Sequence, residues 1–206
     1  MEKVIIILLL SLSGFLQAQT ASNASMEQAF RLWEEGKSLE ASLQFEDLAQ
    51  NEPHNWLPNY YVALVNTTEA FETSDPGKFT GLLEKAQDAL NKETEIDPLN
   101  VELLIMQAMI HTARIANDPM SYGQSLSPVV LQIYKKAESI DPNNPRLVYS
   151  KARFEFGTAQ FLGTDIQPIC HRIEQSLELF NNFKPESPFH PHWGKQQAEE
   201  TLKSCK

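Results

Sequence analysis

The side chains of this chain that are best suited to chemistry are cysteines and histidines near the C-terminus. They are Cys170, His171, His190, His192 and Cys205. Thiolates and imidazoles are common ligands of zinc, but these spacings match no standard zinc pattern. Because successive residues of an α-helix point about 100° apart, Cys170 and His171 do not form a nucleophile and base pair by themselves. We therefore predict no metal site and no catalytic site in this part of the chain.

Other catalytic signatures are missing from the sequence. It has no glycine-rich phosphate loop, no His-Glu-x-x-His and no Gly-x-Ser-x-Gly. Adjacent carboxylates such as Glu34 and Glu35 are typical of a solvated helix face, and His111 is interpreted as a helix histidine that is satisfied by local contacts. We therefore predict a protein that is not an enzyme and that binds no cofactor.

The charge of the chain restricts its partners. The formal net charge is −10, and no basic run is interleaved with aromatic residues. An acidic surface disfavours nucleic acid and anionic lipid, because both carry negative charge themselves. We predict no nucleic-acid partner, and we interpret the acidic residues as an exterior that aids solubility.

The first eighteen residues are interpreted as a secretory signal peptide. Lys3 precedes a continuous apolar run over residues 4–10, and Leu16-Gln17-Ala18 has the small-residue pattern of a cleavage site. The alternative is a membrane anchor, but about seven apolar residues are far fewer than the roughly 20 needed to span a bilayer. We predict cleavage near Ala18, a polar lead-in over residues 19–24, export to the periplasm or outside the cell, and no stable membrane insertion.

Export would place both cysteines in an oxidising compartment. Cys170 and Cys205 could then form a disulfide that closes a loop of about 35 residues, worth roughly 3 to 4 kcal/mol in the chain-entropy model. Two independent thiols remain the alternative, because a pairing cannot be deduced from the sequence alone.

A spaced recurrence of alanine and proline organises the rest of the chain. The blocks open on Ala29, Ala63, Ala108 and Ala152 and close on Pro53, Pro98, Pro142 and Pro185. Apolar residues twelve, eight and five positions before each proline fall on one helical stripe, and Glu93 is the exception. A recurrence every roughly 34 to 45 residues is typical of stacked helical hairpins. We predict hairpins over 25–53, 56–98, 101–142 and 145–185, followed by a cap over 188–206.

Local signals predict where these helices begin and where they are interrupted. Ser25 starts the first helix with the spacing of a capping box, and Asn55, Asn100 and Asn144 are predicted N-caps. Stretches rich in Pro, Gly, Asp and Ser are predicted loops within the later hairpins. They cover residues 73–78, 117–127 and 161–167.

The small and aromatic positions of these blocks, and above all the stretch Lys136-Ala137-Glu138-Ser139-Ile140-Asp141-Pro142-Asn143-Asn144, resemble the tetratricopeptide repeat family. The resemblance covers residues 25–185, and the whole chain is similar to secreted bacterial members of that family that have no assigned chemistry. It implies an all-α fold, a right-handed α-solenoid of about four hairpins with a C-terminal capping helix. It supplies no catalytic residue.

The resemblance also implies that the first helix of each hairpin lines a concave groove. The positions three before, one after and four after each anchor alanine are then expected to point into it. Ten of these positions are candidate partner-binding residues, namely Met26, Phe30, Trp33, Tyr60, Leu64, Ile105, Met109, Tyr149, Arg153 and Phe156, and the other two are Thr67 and Thr112.

An apolar groove of this kind suits an amphipathic helix or an extended hydrophobic segment. We therefore predict an exported scaffold that binds a protein or peptide partner of unknown identity. The alternative is a carrier of an apolar small molecule or lipid in the same groove. Tight curvature, or the protein's own N-terminal segment, could also fill the groove, in which case these residues are core.

Overall fold

The computed structural model describes residues 22–205, and this part of the chain is helical throughout, without β-strands. The predicted signal peptide and its cleavage site lie outside the described residues, as do residues 19–21 and 206. The helices are α1 (22–34), α2 (Ser38–Asn51), α3 (Trp56–Glu72), α4 (Pro76–Ile96), α5 (Val101–Asn117), α6 (Pro119–Ile140), α7 (Pro145–Leu162), α8 (Gln167–Asn182) and α9 (Lys195–Lys203). The predicted all-α class is confirmed. None of the helices described is both long enough and apolar enough to cross a membrane.

The predicted asparagine N-caps are confirmed. The side chains of Asn55, Asn100 and Asn144 each accept hydrogen bonds from backbone N–H groups in the first turn of the following helix. Such caps satisfy donors that have no partner inside the helix, which fixes where α3, α5 and α7 begin. The predicted start at Ser25 is wrong, because residues 22–24 are already helical.

The predicted loop over residues 117–127 is also wrong. Asp118 alone separates α5 from α6, and its carboxylate accepts a hydrogen bond from the backbone N–H of Ser121. Pro119 then occupies the first turn, where a proline loses no helical hydrogen bond. The residues that suggested a loop are therefore helix-start signals. The extra length of this hairpin extends the helices instead of the connection, and α6 continues past Pro128.

Each helix packs most extensively on its neighbour in sequence, in the pairs α3 with α4, α5 with α6 and α7 with α8. The first helices of these pairs also pack side by side: α3 contacts α5, and α5 contacts α7. The four anchor alanines are buried, and three of them lie on α3, α5 and α7. Small side chains there allow close approach, and a larger residue would be overpacked at a cost of about 1 to 3 kcal/mol.

Candidate functional site

The predicted groove positions form one surface of α1, α3, α5 and α7, which we call the groove face. Residues 183–194, which we call the strap, run from the end of α8 to the start of α9 and cover part of this face. Tyr60 Oη accepts a hydrogen bond from Trp193 Nε1 at 2.7 Å, and Tyr61 Oη donates one to the carbonyl oxygen of Phe189 at 2.8 Å. The ring of Phe189 stacks on that of Phe30 with 6.0 Å between centroids. The strap therefore occupies space in which a ligand would otherwise lie.

Trp193 is the central contact of the strap. The buried apolar residues form three clusters, one around α1 to α5, one around α5 to α7 and one around α7 to α9, and Trp193 packs against all three. Gly194 follows it with φ of 109°, and a Cβ there would lie 2.6 Å from the ring of Phe180. The chain can therefore turn closely into α9 only because residue 194 has no side chain.

The structure divides the predicted groove residues into buried and accessible sets. Met26, Tyr60, Leu64, Ile105, Tyr149, Phe156 and also Thr67 are buried, whereas Phe30, Trp33, Met109 and Thr112 are partly exposed and Arg153 is exposed. The buried side chains are core residues instead of an open lining. The covering segment that the structure describes comes from the C-terminal part of the chain, and residues 1–21 of the N-terminal part that the sequence suggested lie outside the described residues.

A buried ion pair lies near the strap. Arg146 is 0% exposed and donates from Nε and Nη2 to the two carboxylate oxygens of Glu102, at 2.8 and 2.6 Å. Asn144 Nδ2 donates to the same carboxylate at 2.8 Å, and the guanidinium carbon of Arg146 lies 4.4 Å from the ring centroid of Phe183. The pair thus connects α5, α7 and the start of the strap.

Sequence analysis missed this pair, although a signal for it exists. Glu102 and Arg146 each stand two residues after an asparagine N-cap, so they occupy equivalent positions in consecutive hairpins. Opposite charges at equivalent positions of adjacent helices are candidates for pairing. Arg146 Nη1 has no hydrogen-bond partner among residues 22–205.

Aromatic hydroxyls and one histidine surround the ion pair. Burial, reinforced by the charge of Glu102, raises the pKa of Tyr60, so this hydroxyl stays neutral at ordinary pH. Burial also raises the pKa of Tyr61. The pKa of His190 is lowered, chiefly by burial and secondarily by the nearby charge of Arg146, against the opposing effects of Glu102 and Glu186. Burial and the charge of Arg146 therefore favour a neutral imidazole at His190, which is itself part of the strap.

Cys170 and Cys205 form a disulfide between α8 and the end of α9, with 6.0 Å between their Cα atoms. Their thiols are consequently not available as metal ligands or nucleophiles. His171 and His192 are exposed, and the part of the chain that the structure describes contains no group of three His, Cys, Asp or Glu side chains able to hold a metal ion.

The double variant Cys170→Ser/Cys205→Ser is expected to lower the free energy of unfolding by about 2 to 4 kcal/mol, because the bond closes a long loop in the unfolded chain. Urea unfolding of the two proteins measures the difference. Wild-type protein unfolded with a reductant is the control and should behave like the variant. Equal stability of the oxidised wild type and the variant would contradict this expectation.

The groove face beyond the strap remains accessible. Trp33, Met109 and Thr112 are partly exposed there, and Arg153 extends into solvent with its guanidinium carbon 5.9 Å from the ring centroid of Phe156. We call Trp33, Met109, Thr112 and Arg153 the open patch. It combines aromatic and thioether surface with one cation, a composition that suits an apolar ligand carrying an acidic group.

A surface depression of about 570 Å³ lies away from the open patch, and its walls are formed by α2, α3 and α4. Its wall includes Asn59, Val62 and Gly81, and the ion pair between Lys85 Nζ and Glu46 Oε1 lies beside it at 2.7 Å. It contains no groove-face residue, and sequence analysis did not predict it.

These features define an all-α protein in which consecutive helix pairs are closed by their own C-terminal segment. Comparisons with protein-family profiles and with curated protein sequences find no match. Among solved structures, the HusA haemophore from Porphyromonas gingivalis is similar, with a TM-score of 0.74 and 24% identity over 89% of this chain and 92% of that chain. The two proteins share their fold over nearly their whole lengths.

Proposed function

We propose that this protein is an exported carrier that binds haem, or a similarly flat and apolar molecule with acidic groups, at the open patch, and that it performs no reaction on its cargo. The observation that carries the proposal is the fold shared with a haemophore over nearly all of both chains. This is the small-molecule alternative raised by the sequence. The strap favours a small molecule over a bound protein segment, because the strap already covers part of the apolar groove face.

The chemistry of the open patch supports such a ligand. Small-molecule sites are mostly apolar with a few placed polar groups. Trp33 and Met109 offer an aromatic ring and a polarisable thioether to a flat ring system, and the Arg153 guanidinium can pair with a carboxylate. Binding of this kind requires no metal ligand from the protein.

The proposed architecture around this site is a right-handed α-solenoid of four tetratricopeptide-like hairpins. The packing of each helix on its sequence neighbour, with α3, α5 and α7 side by side, supports it. Export after cleavage near Ala18 belongs to the same proposal, since a carrier of this kind meets its cargo outside the cytoplasm.

Haemin titration of the mature protein tests the proposal. We expect saturable binding, seen as a change of the haem absorption band and quenching of tryptophan fluorescence. Arg153→Ala is expected to weaken binding by about tenfold, as for the loss of one charge-assisted contact. Arg31→Ala is the matched control, because Arg31 is exposed on α1 away from the groove positions. An unsaturable titration, or equal affinity of both variants, would remove the open patch from the proposal.

A second candidate function, binding of a protein segment, is favoured by exposed apolar side chains at one edge of the helix pairs. These are Phe71, Met120, Tyr122, Phe161 and Leu162, and Met120 is 86% exposed. A photocrosslinker at position 120, compared with one at Glu199 on α9, would separate the two functions. A specific crosslinked adduct at position 120, together with a haemin titration that shows no saturable binding, would favour the second function.

A further inference from the structure

We propose that the strap is a pH-sensitive latch, which closes the groove face at neutral pH and is released when His190 is protonated at acidic pH. The latch does not depend on the identity of the cargo. It would regulate how much of the groove face is accessible.

The strap is held by few side chains. Phe183, Phe189, His190, Pro191 and Trp193 are buried or partly buried, whereas Lys184 and Glu186 are exposed. Apart from the bonds of Trp193 and Phe189 to the two tyrosines, the attachment is by ring contacts. Loss of one of these contacts would therefore weaken the attachment of the strap.

The buried position of His190 between two aromatic rings, which we call its seat, favours a neutral imidazole. The imidazole is 8% exposed and lies between Trp56 and Phe183, with centroids 6.0 and 5.6 Å away. Aromatic walls cannot replace the hydration that an imidazolium would lose on burial.

The charged groups that face His190 do not compensate for this loss. From α5, Glu102 already accepts hydrogen bonds from Arg146 and Asn144. From α7, Arg146 is a second cation, and its Nη1 lacks a partner among the described residues. On the strap itself, the Glu186 carboxylate lies 3.9 Å from His190 Nδ1 on a side chain that is mostly in solvent.

Two further titratable groups, on α3, lie near Glu102 and Arg146. These are the hydroxyls of Tyr60 and Tyr61, which are neutral because burial raises the pKa of both. No group in the seat therefore offers the protonated ring an unused charge partner that is also buried.

The direction of the pH effect follows from linkage. The pKa of His190 is lowered by burial in the closed strap and returns towards its ordinary value when the strap is released. The released form thus binds more protons in the intervening pH range. Stability of the closed form is fully present above the ordinary histidine pKa and is lost as the pH falls through it towards the lowered value.

Release is confined to the strap by the disulfide. Cys170 ties the end of α9 to α8, so residues 183–194 can leave their seat only as a loop anchored at both ends. Opening would expose Tyr60, Trp56 and Phe30 next to the open patch, while α9 stays in place.

Hydrogen exchange of strap peptides, with labelling times scaled to the intrinsic rate at each pH, tests the latch without any ligand. In the wild-type chain we expect protection of residues 187–194 to fall severalfold between pH 7.5 and 5, while α3 and α5 keep theirs. His190→Gln should remove this pH dependence. His54→Gln, which changes an exposed histidine two residues before Trp56, should retain it.

Glu186→Gln provides a second variant in case His190→Gln disturbs the seat. Its carboxylate raises the pKa of His190 in the closed strap, so its removal should widen the gap from the ordinary value and move the opening midpoint to higher pH. The latch proposal would be contradicted if hydrogen-exchange protection of the strap did not change with pH in the wild type. It would also be contradicted if Glu186→Gln left the opening midpoint unchanged. Because haemin plays no part, failure here is separate from failure of the carrier proposal.

Discussion

Arg146→Met is expected to lower the free energy of unfolding by about 3 to 5 kcal/mol, because it leaves the carboxylate of Glu102 buried without its main partner. The Arg146 guanidinium supplies two of the three side-chain hydrogen bonds that this carboxylate accepts. Asn144 alone cannot replace a positive charge in a buried site. Urea denaturation followed by circular dichroism measures the loss.

The double variant Arg146→Met/Glu102→Leu is the decisive comparison. When both charges are replaced by apolar side chains, the cost of burying them disappears, and stability should recover most of the loss. Arg31→Met, on an exposed side chain, should leave stability nearly unchanged. If the double variant is as unstable as Arg146→Met, loss of packing by the arginine stem, and not an unpaired charge, explains the effect.

Trp193→Ala is expected to lower the free energy of unfolding by about 3 to 4 kcal/mol, because it opens a cavity where three apolar clusters meet. It also leaves the buried hydroxyl of Tyr60 without its indole donor. Thermal unfolding of the oxidised protein measures the change.

Two variants separate the contributions of Trp193. Tyr60→Phe removes only the hydrogen bond and should cost about 1 kcal/mol. Trp33→Ala removes an indole that packs against one cluster, so its effect should be clearly smaller than that of Trp193→Ala. Equal losses for the two tryptophans would show that Trp193 does not unite the clusters.

Much of the local structure was predictable from the sequence. Asparagine caps before Trp56, Val101 and Pro145 and the prolines between hairpins act within a few residues, so each can be recognised in isolation. The same local signals were misread over residues 117–127. There, Asp and Pro start a helix after a one-residue connection, and composition alone does not distinguish that start from a loop.

The candidate site was predictable only in part. The resemblance to tetratricopeptide repeats predicted that Trp33, Met109 and Arg153 share one surface, and the structure leaves these three side chains at least partly exposed. It could not reveal that Tyr60 and Ile105, in the same pattern, are covered. Apolar side chains at helical spacing look alike whether they face a groove or a covering segment.

The sequence by itself determined the helical class and the starts of α3, α5 and α7, because these depend on residues that are close together in the chain. The tertiary structure decided that the strap closes the groove face and that Glu102 pairs with Arg146. The Trp193 to Tyr60 hydrogen bond joins residues 133 positions apart. Such a contact forms only when packing of the intervening helices brings both side chains into one place, and no local pattern encodes that outcome.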